Sequence, residues 1–274
     1  MNRIEKAFSR GRESGEKLFL PYLCAGDPTP DLSQKLIRTA ESAGADILEL
    51  GIPYSDPLAD GPTIQQAAQR SLEQGTRMEE VFNLVESVRE ESDVPLVLMT
   101  YYNPIFRYGE DRFLERVAEV GADGVLVVDL PPEEGLDFYD KAPEYGLETI
   151  LLATPTTKPD RIEDLSELAT GFLYYVLVTG VTGVRSGYNP ELADKIRTAG
   201  ERSELPTVVG FGVSDVDQIE DYLPLVDGVV SGSYLIEGIN DNLGNSEAVV
   251  QAVDERVRSL ADPLHAYQES AKTS

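Results

Sequence analysis

Eight short runs of apolar and β-branched residues recur along the chain and define its predicted architecture. Each run is apolar at consecutive positions rather than at alternate ones. That pattern is typical of parallel strands, which are buried on both faces of their sheet. We therefore predict eight strands, at residues 18–24, 46–50, 95–100, 124–129, 149–153, 172–178, 207–210 and 228–231.

Stretches with helical periodicity separate the predicted strands. Within 77–92, Val81, Phe82 and Val85 belong to a set of apolar residues spaced three or four apart, so they form one stripe along a helix. Further helices are predicted at 31–43, 113–120, 132–145, 162–169, 192–199, 216–223 and 248–260, and 132–145 is the least regular of them.

Strict alternation of strand and helix predicts a parallel sheet. Eight such units in 274 residues favour a closed (β/α)8 barrel, the TIM-barrel fold of the α/β class. Gly44, Gly121 and Gly146 each stand just before a strand, where a left-handed residue would end the preceding helix. No linker interrupts the pattern, so we predict one domain over 1–274. An additional helix within the first fifteen residues is positioned to close the amino-terminal end of the barrel.

The charge of the chain is extreme. It has 49 acidic and 23 basic residues, a net charge of −26 at pH 7, and 16 arginines against seven lysines. This charge would repel a phosphate backbone, so we predict no nucleic acid partner. Carboxylates hold hydration in concentrated salt, and the salt screens their repulsion, so we interpret the composition as halophilic. An acidic surface on a protein from an ordinary environment is the alternative.

Composition also limits the chemistry. Cys24 and His265 are the only cysteine and histidine, which excludes an intramolecular disulfide and a zinc site made of these residue types, and we predict no metal. No apolar run approaches the ~20 residues of a membrane helix. The charged amino terminus lacks the apolar stretch of a signal peptide. We expect no membrane association and a cytoplasmic location.

Glu49 is a charged residue inside the otherwise apolar second strand. Burial of an unpaired carboxylate is costly or raises its pKa, and a carboxyl with a raised pKa can serve as both acid and base. The alternative is an outward side chain paired with a helix-borne cation. Asp56 and Asp60 follow in the next loop, where aspartate is more often a turn former.

Two glycine turns predict a phosphate site. The segments 210–215 and 229–238 each run from a strand through glycine toward a predicted helix start, where backbone N–H groups are available to an anion. Barrel enzymes often bind phosphate after strands 7 and 8. The glycine-rich loop at 179–190 could be a lid over substrate or an ordinary long loop. Tyr174 could pack or could assist proton transfer.

Seven segments resemble motifs of the tryptophan synthase alpha subunit family, in the same order, over about residues 1–260. They are LPYLCAGDP (20–28), LELGIPYSDPLADGPTIQ (48–65), YYNPIFRYG (101–109), GVLVVDLP (124–131), YYVLVTGVTG (174–183), GFGVS (210–214) and SGS (231–233). The segment at 48–65 is the most specific. The chain departs from the family at Tyr22, Cys24 and Leu177, where phenylalanine, threonine and a small polar residue are common.

The resemblance implies cleavage of indole-3-glycerol phosphate to indole and glyceraldehyde 3-phosphate by a retro-aldol reaction, without metal or organic cofactor. It implies that Glu49 is the acid and base, that Asp60 accepts a hydrogen bond from the indole N–H, and that Tyr174 lies near the reacting centre. It implies phosphate-binding positions at Gly183, Gly212, Gly232 and Ser233, and an indole pocket at Tyr22, Met99, Leu126 and Phe211.

The resemblance also implies a partner. Family members join a pyridoxal-phosphate beta subunit as an α2β2 heterotetramer, and indole passes to that subunit. The interface would include Asp56, Pro57, residues 103–106 and Pro131, and pyridoxal phosphate would belong to the partner. Two other functions remain open. The barrel could be another phosphate-binding enzyme, such as a sugar-phosphate isomerase, or a catalytically silent activator of a beta subunit.

Overall fold

Eight parallel strands close into a barrel in the order in which they follow along the chain. The computed structural model describes residues 2–177, 189–210 and 212–268. The strands are β1 (Leu18–Cys24), β2 (Leu48–Gly51), β3 (Leu96–Thr100), β4 (Gly124–Val127), β5 (Glu148–Ala153), β6 (Leu173–Val176), β7 (Thr207–Gly210) and β8 (Gly228–Ser231). All eight predicted strands are therefore confirmed. Three strands have the predicted bounds, the ends of the others differ from the prediction by at most two residues, and residue 178, the predicted end of the sixth, lies outside the described residues.

Eleven α-helices surround the strands in the described part of the chain. They are α1 (Arg3–Ser14), α2 (Pro30–Ser42), α3 (Pro62–Glu73), α4 (Met78–Arg89), α5 (Tyr102–Tyr108), α6 (Glu110–Glu119), α7 (Pro132–Lys141), α8 (Pro159–Leu168), α9 (Pro190–Ser203), α10 (Ser233–Asp241) and α11 (Ser246–Ala266). The sequence pattern did not predict α3 and α5, and it predicted α10 only as a helix start after the eighth strand. Each of these extra helices follows the carboxyl end of a strand.

The predicted helix at 216–223 is wrong. Two 3-10 segments, Val216–Gln218 and Glu220–Leu225, take its place after β7. Pro224 lies inside the second segment, and proline lacks the N–H that a continuing α-helix needs. The irregular helix predicted at 132–145 likewise divides into α7 and a 3-10 turn, Ala142–Tyr145, which contains a proline.

The three helix ends predicted at glycine residues are confirmed. Gly44, Gly121 and Gly146 have positive φ angles of 112°, 84° and 77°. A residue with a side chain adopts this left-handed region rarely, so glycine allows the chain to leave the helix and enter the next strand.

Helix α1 closes the amino-terminal end of the barrel, as predicted. Its capping box at Asn2 and Glu5 fixes where the helix begins. Ile4, Ala7 and Phe8 on its buried face pack into the apolar cluster that fills the barrel interior. The Phe8 ring lies 5.5 Å from the ring of Phe172, centroid to centroid. A second apolar cluster lies between the strands and the outer helices.

Candidate active site

A cavity of about 390 Å³ opens at the carboxyl ends of the strands. Eight of the predicted site residues line it: Tyr22, Glu49, Asp60, Met99, Tyr174, Gly212, Gly232 and Ser233. A larger groove of about 1100 Å³ lies at the opposite face, beside α1, and charged residues line much of it. Chemistry in barrels of this kind takes place at the carboxyl ends of the strands, so the smaller cavity is the candidate site.

The remaining predicted site residues lie elsewhere. Leu126 is fully buried in the interior cluster, one layer below the cavity. Val128, two residues further along the chain, lines the cavity instead. Gly183 and Phe211 lie outside the described residues, as does most of the predicted lid at 179–190. Leu177, one of the departures from the family pattern, contributes to the lining.

Glu49 points into this cavity from β2. It is 1% exposed, and its Oε1 atom has no hydrogen-bond partner among the described residues. Burial alone raises the pKa of the carboxyl to about 8, because a low-dielectric surrounding disfavours the charged form. The alternative of an outward side chain paired with a helix-borne cation is therefore wrong. The group can give up or take a proton near neutral pH.

Asp60 ends the loop between β2 and α3, where it is half-buried. Burial raises its pKa to about 6, and a hydrogen bond with Tyr101 opposes that rise. The Tyr101 hydroxyl also accepts a hydrogen bond of 3.0 Å from the Ala59 N–H. Gln65 donates a hydrogen bond of 2.9 Å to the Asp60 carbonyl oxygen. Tyr101 and Gln65, which received no individual role from the sequence, hold this loop against the barrel.

Tyr22 lies beside Glu49, since the two residues are register partners across β1 and β2. The ring of Tyr22 extends toward Gly51, where a Cβ atom would lie only 2.1 Å from the tyrosine hydroxyl. Glycine at the end of β2 therefore makes room for the ring. Burial raises the pKa of Tyr22 well above its ordinary value, so the hydroxyl stays neutral.

The turns after β7 and β8 meet at the same cavity. Gly212 has a φ of +44°, and Gly232 is the N-cap of α10. Because Gly232 has no side chain to cap the helix, the first N–H groups of α10 are available to a ligand. The Ser231 hydroxyl donates a hydrogen bond to the Val213 carbonyl and so joins the two turns. Only the turn after β8 leads into an α-helix, which corrects the prediction of two helix starts.

Within the described residues, no cluster of three or more His, Cys, Asp or Glu side chains could hold a metal ion. The helices in that part of the chain include none that is long and apolar enough to cross a membrane. Among the described residues, the polar groups that line the cavity are two carboxyls, tyrosine hydroxyls, the Ser233 hydroxyl and backbone amides.

The closed barrel and its cavity with two carboxyls define a (β/α)8-barrel enzyme with its site at the carboxyl ends of the strands. A sequence model of the family described as tryptophan synthase alpha chain matches residues 8–265. The chain belongs to the tryptophan synthase alpha chain family, and it is a lyase.

Individual relatives agree with the family match. The tryptophan synthase alpha chain of Geotalea uraniireducens is 45% identical over 237 residues, which are 86% of this chain and 89% of the relative. That of a Thermoanaerobacter species is 40% identical, over 96% of this chain and the full length of the relative. The crystal structure of the alpha subunit from Legionella pneumophila is 36% identical, with a TM-score of 0.90, over 97% of this chain and 100% of that one.

One solved structure describes an assembly. It is that of the tryptophan synthase α2β2 complex from Pyrococcus furiosus. The matched chain is 38% identical to this one, with a TM-score of 0.83, over 90% of this chain and 98% of that one.

Proposed function

We propose that this chain cleaves indole-3-glycerol phosphate into indole and glyceraldehyde 3-phosphate, reversibly and without a metal or organic cofactor of its own. One observation carries the proposal. An unpaired, buried carboxyl with a pKa of about 8 shares a cavity with a second carboxyl whose pKa is about 6. Near neutral pH the first is protonated and the second is ionised, which is the combination that the reaction requires.

Glu49 moves the protons in the proposed mechanism. Its carboxyl proton first goes to C3 of the indole ring, which becomes tetrahedral while positive charge develops on the ring. The Glu49 carboxylate then takes the proton from the adjacent glycerol hydroxyl. The carbon–carbon bond breaks, its electron pair returns to the ring, and the hydroxyl carbon becomes the aldehyde. Glu49 regains its proton in this step, so one group acts as acid and base in turn.

The other cavity residues bind and orient the substrate. The Asp60 carboxylate accepts the hydrogen bond of the indole N–H and stabilises the positive charge of the ring. Gly212, Gly232 and Ser233 offer backbone amides to the phosphate, against the negative charge of the whole chain. Tyr174 lies near the reacting carbon. Tyr22 and Met99 contact the indole ring, and the roles of Gly183, Leu126 and Phe211 stay predictions.

The proposed partner is a beta subunit that receives the indole and carries the pyridoxal phosphate. Two apolar side chains at the mouth of the barrel support this proposal: Leu58 is 92% exposed and Phe106 is 69% exposed. Asn103 donates a hydrogen bond of 3.2 Å to the Tyr54 hydroxyl and joins the two segments that present them. The predicted contacts at Asp56 and Pro131 are exposed as well. Burial of such side chains would stabilise a complex.

We also propose that the acidic surface is an adaptation to concentrated salt. The support is the net charge of −26 and the many ion pairs on this surface, most of which involve arginine and only two of which, among the described residues, involve lysine. Arginine presents a planar fork of donors to a carboxylate. Self-repulsion of the remaining carboxylates opposes compact folding, and screening by salt reduces that repulsion.

Indole release from indole-3-glycerol phosphate tests the function, measured in concentrated potassium chloride with and without a beta subunit. Glu49→Gln should fold and bind the phosphate but lose at least about a hundredfold in turnover, because acid–base catalysis contributes about 10²–10⁴-fold. Glu148→Gln is the matched control, since Glu148 is partly buried at the opposite end of the barrel and burial also raises its pKa. Release of no indole in either condition would contradict the proposed reaction. Activation of a beta subunit without any indole release would favour the silent barrel instead.

A further inference from the structure

Helix α3 joins the candidate site to a buried ion pair away from the cavity. Asp60 and Gly61 immediately precede the helix, and Ile64 on its first turn lines the cavity. Arg70, two turns further along, points to the loop that follows β1. The orientation of α3 therefore affects where the Asp60 carboxyl lies.

The ion pair between Arg70 and Asp27 has two parallel hydrogen bonds. Arg70 Nε donates to Asp27 Oδ1 at 2.8 Å, and Nη2 donates to Oδ2 at 2.9 Å. The Asp27 side chain is fully buried and that of Arg70 is largely buried. Paired guanidinium and carboxylate groups fix both distance and orientation, and loss of either partner would leave a buried charge unpaired.

Backbone contacts connect the same loop to both carboxyl-bearing elements. The Ala25 N–H donates a hydrogen bond of 2.9 Å to the carbonyl of Gly51, two residues beyond Glu49 on β2. The Ala25 carbonyl accepts a hydrogen bond from the Ser71 hydroxyl on α3. The loop therefore contacts the end of the Glu49 strand on one side and the Asp60 helix on the other.

We propose that Asp27 and Arg70 are positioning residues that set the separation of the Glu49 and Asp60 carboxyls by holding α3 against the loop after β1. This inference rests on the proposed function, because it gives Asp60 a catalytic task. Neither residue touches the substrate. The phosphate turns after β7 and β8 belong to other elements, so the pair acts on the proton-transfer end of the cavity and leaves the phosphate end in place.

Steady-state kinetics of Arg70→Gln and Asp27→Asn test the proposal. We expect kcat to fall about tenfold to a hundredfold, because displacement of a catalytic group by about 1 Å can cost about 10²-fold. KM should change less than about threefold, because the phosphate turns keep their places. The double variant should lose no more than either single variant, since the two side chains act as one unit.

The Asp60 carboxyl provides a readout that does not depend on turnover. Among the described residues, the titratable groups that interact electrostatically with Asp60 are the hydroxyls of Tyr22, Tyr101 and Tyr174 and the thiol of Cys24. When α3 shifts outward, water reaches Asp60 and its pKa should move down toward the ordinary aspartate value. Carbon-13 NMR of the carboxyl, assigned with Asp60→Asn, measures this pKa in the wild type and in Arg70→Gln.

The matched control is a second buried arginine–aspartate pair, Arg89 and Asp123, whose side chains are 2.7 Å apart at the amino-terminal face. Arg89→Gln should lower stability without changing kcat or the Asp60 pKa. If Arg70→Gln behaves in the same way, the pair is only structural and the inference is wrong. Arg70→Lys keeps the positive charge but cannot make the two parallel hydrogen bonds. It takes the place of Arg70→Gln in the test if Arg70→Gln does not fold. A wild type that releases no indole contradicts the proposed function, whereas an unchanged Asp60 pKa contradicts this inference.

Discussion

The hydroxyl of Tyr174 occupies the space that any side chain at position 210, a glycine in this protein, would need. A Cβ atom at Gly210 would lie 2.1 Å from that hydroxyl and 2.2 Å from the nearest ring carbon. Tyr174 is the register partner of Val208 on β7, so its ring leans along that strand to the residue two positions further on. The geometry repeats that of Tyr22 and Gly51 on the other side of the cavity.

Gly210→Ala should therefore displace the Tyr174 ring into the cavity. We expect kcat/KM to fall about tenfold to a hundredfold, in keeping with the cost of displacing groups around a reacting centre by about 1 Å. Gly200→Ala is the control, because the nearest atom to a Cβ at Gly200 lies at an ordinary 3.6 Å. Equal kinetics for the two variants would show that the ring position does not matter.

The pH dependence of kcat/KM, which reports the ionisation of the free enzyme, should be bell-shaped, with an acid limb near pH 6 and a basic limb near pH 8. Asp60 must be ionised, and its pKa of about 6 means that activity is lost as pH falls through that value. Glu49 must start protonated, and its pKa of about 8 means that activity is lost as pH rises through it. Stopped assays from pH 5 to pH 9 measure both limbs. Asp60→Asn should remove the acid limb and keep the basic limb, and a profile that keeps both would reassign the acid limb to another group.

Gly212→Asp should raise KM for indole-3-glycerol phosphate at least about tenfold. Gly212 has a φ of +44°, a backbone conformation that strains a residue with a side chain, and the added carboxylate would repel the phosphate. Gly212→Ala is the companion variant, since it adds the strain without the charge. Inhibition by free inorganic phosphate should weaken in parallel with KM. If KM stays at the wild-type value in the aspartate variant, the phosphate binds elsewhere.

The only histidine should make stability depend on pH. His265 Nε2 lies 2.7 Å from Asp46 Oδ2, and Asp46 also accepts hydrogen bonds from Arg10 and from the Phe19 N–H. The hydrogen bond with Asp46 raises the pKa of His265 against the effect of burial, and charges at Glu16 and Arg10 act in opposite directions.

A raised pKa in the folded state means that the stabilisation is present below the ordinary value of 6.5 and is lost as pH rises through the raised value. Urea unfolding at pH 6 and pH 9 should therefore show a larger loss of stability in the wild type than in His265→Gln, because only the wild type loses a positive charge beside Asp46. Equal losses in the two proteins would show that folding does not raise the pKa of His265.

Salt should stabilise the fold if the surface is halophilic. Between about 0.1 M and about 1 M potassium chloride, the Debye length falls from about 10 Å to about 3 Å, so repulsion among carboxylates is largely removed. The midpoint of thermal unfolding should rise over this range and continue to rise in more concentrated salt. A midpoint that is the same at every salt concentration would support the ordinary acidic surface.

The fold was predictable because each strand is apolar at consecutive positions and each helix has its own apolar stripe. The helix at 216–223 was misread because Val216, Ile219 and Leu223 have helical spacing although Pro224 interrupts the segment. Helix α3 was missed because it begins in a stretch that the prolines and aspartates mark as a loop. Local pattern does not record which neighbour supplies the packing that turns such a stretch into a helix.

The place of Glu49 in the cavity was predictable because a carboxylate is out of place in an apolar strand. The pairing of Asp27 with Arg70 was not, because each has an ordinary local context and they are 43 positions apart in sequence. Only the closed barrel brings the loop after β1 against α3. Tyr101 is a similar case, since its hydroxyl reaches Ala59 from the neighbouring strand.

Helix α1 closes the amino-terminal end of the barrel, where the ring of Phe8 packs against that of Phe172. The described residues of the candidate site open toward the rim of the barrel where Leu58 and Phe106 are exposed. Among those residues the packed interior leaves no passage along the central axis, so reactant and product both pass the rim. A protein bound at the rim would control both the entry of the reactant and the exit of the product. A small aromatic product would then contact that protein before it reached bulk water.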